Sequence, residues 1–229
     1  MSGKEAIRLE KILNHPAVKK ATDDINAESL ERRSYSPLRC EVFCHPYTIV
    51  QETDRYRFEL DRQAEKLLPD IIANKVQLIE GKDTMDDEVA RRYGKKRNIG
   101  IVFSGGPAPG GHNVIAGLYD AAKNANPDSR VYGFLVGPDG IIENEAVELS
   151  DDLVNRYRNL GGFTMIKTGR TKIDSKEKMA LSRETCHRLD LDALVVVGGD
   201  DSNTNAAFLA QELMADGVQI LGVPKTIDG

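Results

Sequence analysis

Beyond about residue 96, short apolar runs closed by glycine alternate with stretches whose apolar residues recur every three or four positions. Ile99 to Phe103 is one such run, ended by Ser104-Gly105-Gly106. Val114, Ile115, Leu118, Ala121, Ala122 and Ala125 then fall on one face of a helix. Val131 to Val136 reads as a second strand, ending in Gly137-Pro138-Asp139-Gly140. Asp151 to Leu160 has a helical pattern, and Phe163 to Ile166 reads as short and extended. Asp174-Ser175 can cap a helix in which Met179, Cys186 and Leu189 share a face. Ala193 to Val197 is a third strand, closed by Gly198-Gly199. A helix through Ala206, Ala207, Leu209, Ala210, Leu213 and Met214 leads to a last strand, Gln219 to Val223. Strands alternating with helices predict an α/β fold, a Rossmann-like parallel sheet with helices on both faces. In such sheets ligands gather at the carboxyl ends of strands, which directs attention to the loops after Phe103, Val197 and Val223.

Residues 1–95 read differently, as a mainly helical amino-terminal extension. Glu59 to Asn74 has an amphipathic pattern broken at Pro69. Cys40 to Val50 is compatible with a strand or a loop, and the charged stretch Asp83 to Arg97 reads as a connector. The expected organisation is therefore an extension over 1–95 and an α/β domain over 96–229.

Composition narrows the class. The 229 residues are 40% hydrophobic and 29% charged, as in soluble globular chains. No apolar run is long enough to span a bilayer, and the charged start MSGKEAIRLEKI lacks the core of a signal peptide, so a cytoplasmic location is expected. A net charge of −5 without a basic block argues against nucleic acid. Three cysteines do not make a disulfide framework. Cys40, Cys44 and His45 sit close together, but a metal site needs a fourth ligand from a second cluster and none is evident, so the cysteines read as packing residues.

Three loops carry candidate chemistry. Ser104 to Asn113 (SGGPAPGGHN) holds four glycines and two prolines before a helix. Glycines let the backbone approach an anion, and the helix start adds N–H groups and a positive dipole end. The spacing matches neither the Walker loop nor the dinucleotide fingerprint, and a tight strand-to-helix turn is the plain alternative. In Gly198-Gly199-Asp200-Asp201-Ser202-Asn203, two carboxylates open a helix. Capping explains one of them; a hard cation such as Mg²⁺, bridging phosphates, would use them too. In Pro224-Lys225-Thr226-Ile227-Asp228-Gly229, Asp228 alone reads as a turn residue and Lys225 as a solvated one, but both leave the sheet beside the other two loops.

Taken together, SGGPAPGGHN, GGFTMIKTGR (161–170), GGDDSNTNA (198–206) and PKTIDG resemble, in order, the phosphofructokinase family over residues 98–229. Two departures from the ATP-dependent pattern are informative. GGDD stands where those enzymes usually read GGDG, and PKTID where they read PGTID. Both resemble the diphosphate-dependent branch, as does the long amino-terminal extension. A carboxylate at Asp201 would occupy the place and charge of a nucleotide α-phosphate and repel it. The Lys225 ammonium would neutralise a donor that has no nucleoside to anchor it.

The resemblance implies transfer of a phosphoryl group from diphosphate to the 1-hydroxyl of fructose 6-phosphate, reversibly. It implies that Gly105 and Gly106 hold diphosphate through backbone N–H, and that Arg170 contacts it. Asp200 would hold Mg²⁺, Asp201 exclude ATP, and Lys225 stabilise the transferring group. Asp228 would act as base, with Thr226 holding the sugar or phosphate nearby and Ile227 also in contact with substrate. The sugar-phosphate site, with a Met-Gly-Arg segment and basic residues from a neighbouring subunit, belongs to a few hundred further residues, so the 229 residues alone are expected to turn over poorly or not at all. A dimer or tetramer, or paired catalytic and regulatory chains, is implied for the complete protein. Competing readings are an ATP-dependent phosphofructokinase, a non-catalytic regulatory subunit, and a GGD-type kinase of NAD or lipid. The last does not explain the first loop or the Lys-Thr-Ile-Asp segment.

Overall fold

A computed structural model describes residues 9–56 and 62–226. The chain divides into two compact units, the first ending at Pro37 and the second starting at Leu38. Within the first, α1 (Leu9–Leu13) and α2 (Pro16–Ser34) bury no residue. Pro16 stands at the start of α2, where its missing N–H loses nothing, and His15 caps the helix by accepting from the Ala17 N–H at 3.3 Å.

The second unit opens with β1 (Tyr47–Thr53), α3 (Arg62–Leu67), α4 (Pro69–Ile72), β2 (Val76–Lys82) and α5 (Asp87–Tyr93). β1 and β2 form an antiparallel pair, Tyr47 opposite Lys82 and Thr53 opposite Val76, so the extension is not purely helical. Pro69 breaks the helical stretch as expected, starting α4; residues 59–61 of that stretch lie outside the described ones. The charged connector contains α5, capped by Asp86, whose carboxylate accepts from Val89 N–H at 2.8 Å. Cys40 and Cys44 are exposed, which corrects the packing expectation for them, and His45 pairs with Asp83 at 2.9 Å; only Cys186 is a core thiol. No helix among the described residues is long and apolar enough to cross a membrane.

The rest is a five-stranded α/β sheet. Its elements are β3 (Asn98–Ser104), α6 (Gly111–Ala125), β4 (Arg130–Phe134), α7 (Pro138–Ile142), β5 (Ala146–Glu148), α8 (Asp151–Tyr157), α9 (Lys176–Arg188), β6 (Ala193–Gly198), α10 (Asp200–Leu213) and β7 (Gln219–Pro224). Strand order is β5-β4-β3-β6-β7. The four long strands are parallel, and β5 runs antiparallel to β4 at the edge. Alternation sorts the two faces. Ile101, Phe103, Val195 and Val197 pack under α6 and α8 with Ile115, Tyr119 and Val154, while Val102, Leu194 and Val196 pack under α9 and α10 with Cys186, Leu209 and Leu213. Each fully buried Ile, Leu, Val or Phe contributes about 1.5–3 kcal/mol, so two apolar layers hold the sheet between them.

Some details differ from expectation. Phe163 to Ile166 is a turn, not an extended segment, although Phe163, Met165 and Ile166 are buried from it. The buried face of α6 runs through His112, Ile115, Ala116, Tyr119 and Ala122, and Ala121 is exposed. The Gly-Pro-Asp-Gly segment opens α7 rather than a simple turn, because Pro138 suits a first helical position.

Candidate active site

The chain runs from β3 to β4 on one side of the sheet and returns at β6 on the other side of β3. Such a switch of direction opens a crevice at the carboxyl ends of the two strands. Ser104 and Gly198 face each other in register there, and Pro224 of β7 is opposite Gly198. The three glycine- and charge-bearing loops therefore leave the sheet side by side.

Main-chain bonds assemble them with a fourth segment. Gly105, at φ +90, turns the chain out of β3, a conformation that favours glycine. Its N–H donates to Gly169 O at 2.8 Å, and the Thr168 hydroxyl donates to Gly105 O at 2.8 Å. Gly169 fits because it has no side chain: a Cβ there would lie 2.2 Å from Val136 O. This close threading sets Arg170 beside Ser104 and Gly105. Ser202, in the first turn of α10, donates to the Ser104 hydroxyl at 2.8 Å, and Lys225 N–H donates to Gly198 O at 2.9 Å.

A cavity of about 250 Å³ results, lined by Ser104, Gly105, Arg170, Thr171, Lys172, Asp201, Ser202 and Asn205. It gathers Gly105, Arg170 and Asp201 from the residues singled out in the sequence. Lys225 stands above Gly105, its Nζ 3.7 Å from where a Cβ would begin. Among the described residues neither the Arg170 nor the Lys225 side chain makes an ion pair or hydrogen bond; Arg170 lines the cavity with Gly105, and the Lys225 ammonium stands near the same glycine. That arrangement suits an anion. The Gly105 N–H, already bound to Gly169, is not available to such an anion; the Gly106 N–H has no partner among the described residues. Gly106, Asp200, Lys225 and Thr226 do not line the cavity, and Ile227 and Asp228 lie outside the described residues.

Asp200 and Asp201 form the exposed first turn of α10, where the helix dipole favours negative charge. Asp201 Oδ2 lies 3.0 Å from Lys172 Nζ. Asp200 has no side-chain partner among the described residues, which contain no group of three metal-ligating side chains. One free carboxylate beside an anion site fits Mg²⁺, which takes one or two carboxylates and completes its shell with phosphate oxygens and water.

The first loop is fastened at its far end by His112. This buried ring accepts from Gly162 N–H at Nδ1 (3.2 Å) and faces Met165 N–H at Nε2 (3.1 Å). Burial pushes its pKa below the ordinary 6.5. His112 N–H donates to Gly162 O at 2.9 Å, and Asn113 Oδ1 accepts from Asn159 N–H at 2.9 Å. Sequence reasoning placed Ser104, His112 and Ser202 in the candidate loops without giving any of them a role of its own, and passed over Lys172. A polar residue at an otherwise apolar helix position marks His112; the basic run Arg170-Thr-Lys172 was a usable sign of Lys172.

A family model described as phosphofructokinase matches residues 98–229. A pyrophosphate–fructose 6-phosphate 1-phosphotransferase of Porphyromonas gingivalis is 46% identical over 187 residues, 71% of this chain and 34% of that protein. The subunit beta 2 of the same-named enzyme of Arabidopsis thaliana is 37% identical over 219 residues, 95% of this chain and 38% of that protein. The chain thus spans about a third of the length of these curated relatives. A crystal structure of a pyrophosphate-dependent phosphofructokinase from Nitrosospira multiformis shares the fold, with a TM-score of 0.51 and 23% identity over 58% of this chain and 34% of that one. The glycine turn, the acidic helix start and the family match over the whole sheet lead to one conclusion: this chain belongs to the phosphofructokinase family.

Proposed function

We propose that this chain supplies the donor half of a diphosphate-dependent 6-phosphofructokinase, residues 96–229 forming the donor domain and 1–95 an extension. The observation that carries this is the convergence of Arg170 and Lys225 on the Gly105 turn, beside a carboxylate where a nucleotide would continue. Relatives named for diphosphate and fructose 6-phosphate support the same reading.

In this reading the terminal phosphoryl group of diphosphate lies between Gly105, Gly106, Arg170 and Lys225. Phosphoryl transfer depends mainly on positioning and charge neutralisation, which these groups provide. Asp228 accepts the proton of the sugar 1-hydroxyl as its oxygen bonds to phosphorus and the bond to the leaving phosphate breaks. Thr226 and Ile227 line the sugar side. Asp200 would hold Mg²⁺, which when bound neutralises charge on the phosphate oxygens. The products are fructose 1,6-bisphosphate and phosphate, in a reversible step of glycolysis that we place in the cytoplasm. The chain spans about a third of the length of the curated relatives it matches, so the activity proposed is that of the full-length protein. The complete enzyme is a homo-oligomer or pairs catalytic with regulatory chains, as the subunit name of the Arabidopsis relative suggests.

A larger cavity of about 600 Å³ adjoins the donor cavity, and its size favours a second reading in which ATP is the donor. Asp201 stands on the shared wall and weighs against it. The test is formation of fructose 1,6-bisphosphate by the full-length protein with Mg²⁺ and either donor. Turnover with diphosphate and little with ATP is expected; turnover with ATP alone would overturn the reading.

A further inference from the structure

Lys172 has no role in the chemistry described so far, yet it occupies an unusual place. It lines both cavities, as do Asp201 and Asn205, so these three residues form the partition between them. Its ammonium lies 3.0 Å from Asp201 Oδ2 across that partition.

The backbone that carries Lys172 is held on several sides. The Asn205 side chain accepts from Ile173 N–H at 3.0 Å and donates to Ile173 O at 2.7 Å. Lys178 Nζ donates to Lys172 O at 2.9 Å, and the Thr171 hydroxyl donates to Asp139 Oδ2 at 2.9 Å. These bonds fix the backbone from which the Lys172 side chain reaches Asp201, on the first turn of α10.

A bare carboxylate on the wall of an anion site repels every anion, diphosphate included. The donor site requires Asp201 to turn away the larger nucleotide while still admitting the small anion. We propose that Lys172 is a specificity-determining residue that neutralises and orients Asp201 at the partition, so that the carboxylate blocks passage into the larger cavity without repelling diphosphate. This deepens, and rests on, the diphosphate reading of the site.

Both side chains are largely exposed, 55% for Lys172 and 82% for Asp201, so the pair adds little to folding stability. Its effect therefore belongs to donor binding. The experiment is a double-mutant cycle in the full-length protein, with Lys172→Met, Asp201→Asn and the pair combined, measured as KM for diphosphate, KM for fructose 6-phosphate, kcat and Tm. Lys172→Met should raise the diphosphate KM about tenfold and leave the sugar KM and Tm unchanged, and Lys172→Arg should restore most of the loss. In the Asp201→Asn background the same lysine replacement should change KM by less than about twofold. Equal effects in both backgrounds, or no effect on KM in an otherwise diphosphate-active protein, would overturn the role given to Lys172. A wild-type protein inactive with diphosphate would instead refute the functional reading beneath it.

Discussion

The Ser202 hydroxyl donates to the Ser104 hydroxyl across 2.8 Å, joining the end of β3 to the first turn of α10 beneath the donor cavity. Both residues are buried, at 7% and 9% exposure, so neither hydroxyl can readily turn to water instead. The bond ties the glycine turn to the acidic helix start, two parts of one cavity wall.

Ser202→Ala should therefore cost about 1–3 kcal/mol, the usual penalty for stranding a buried polar group. Removing both hydroxyls, as in Ser104→Ala with Ser202→Ala, should cost no more than the single change. Chemical denaturation of Ser202→Ala, of Ser104→Ala and of the double variant checks this. Additive losses would mean that each hydroxyl has another partner.

His112 makes the fastening of the first loop sensitive to acid. A neutral ring keeps a lone pair for the N–H donors of Gly162 or Met165; protonation removes it. Because burial lowers its pKa, the folded state binds the proton less readily than the unfolded chain. The His112 contribution is thus full above the unfolded value of 6.5 and declines as pH falls from there toward the lower folded value. The stability advantage of the wild type over His112→Gln should be constant well above the unfolded value of 6.5 and shrink as pH falls below it. Thermal melts on both sides of that value test it; a difference independent of pH would contradict the assigned environment.

Arg170 depends on the threading of Gly169. Gly169→Ala would set a methyl group 2.2 Å from Val136 O and must displace the segment. It should cost about 1–3 kcal/mol and raise the KM for diphosphate. Gly117, on the exposed side of α6, offers a control because nothing lies within 4 Å of its Cβ position. Gly117→Ala should stabilise by about 0.5–1 kcal/mol with kinetics unchanged. Melts together with donor titrations distinguish the two; a silent Gly169→Ala would mean that Arg170 is placed by other contacts.

Much of the α/β architecture was legible because β3, β6 and β7 are apolar runs ended by glycine or proline, a signal that survives without tertiary information. α7 and β5 were not. The first is five residues opened by Pro138, and the second is three residues whose pairing with β4 depends on distant chain. The Phe163 to Ile166 run misled because apolar residues fill a core from a turn as well as from a strand. In the extension the strand-or-loop reading of Cys40 to Val50 reached only the start of β1, which alternates weakly and is half-exposed, and its pairing with β2 across two intervening helices was not legible. In the site, glycine density and paired acids marked the loops. The Lys172–Asp201 contact and the His112 fastening join residues 29 and about fifty positions apart, which no local pattern reveals.

A structure of the full-length protein with Mg²⁺ and diphosphate bears most directly on the account. It should show a phosphate oxygen within about 3 Å of both the Arg170 guanidinium and the Lys225 ammonium, above the Gly105 turn. Diphosphate bound away from these two cations would contradict it.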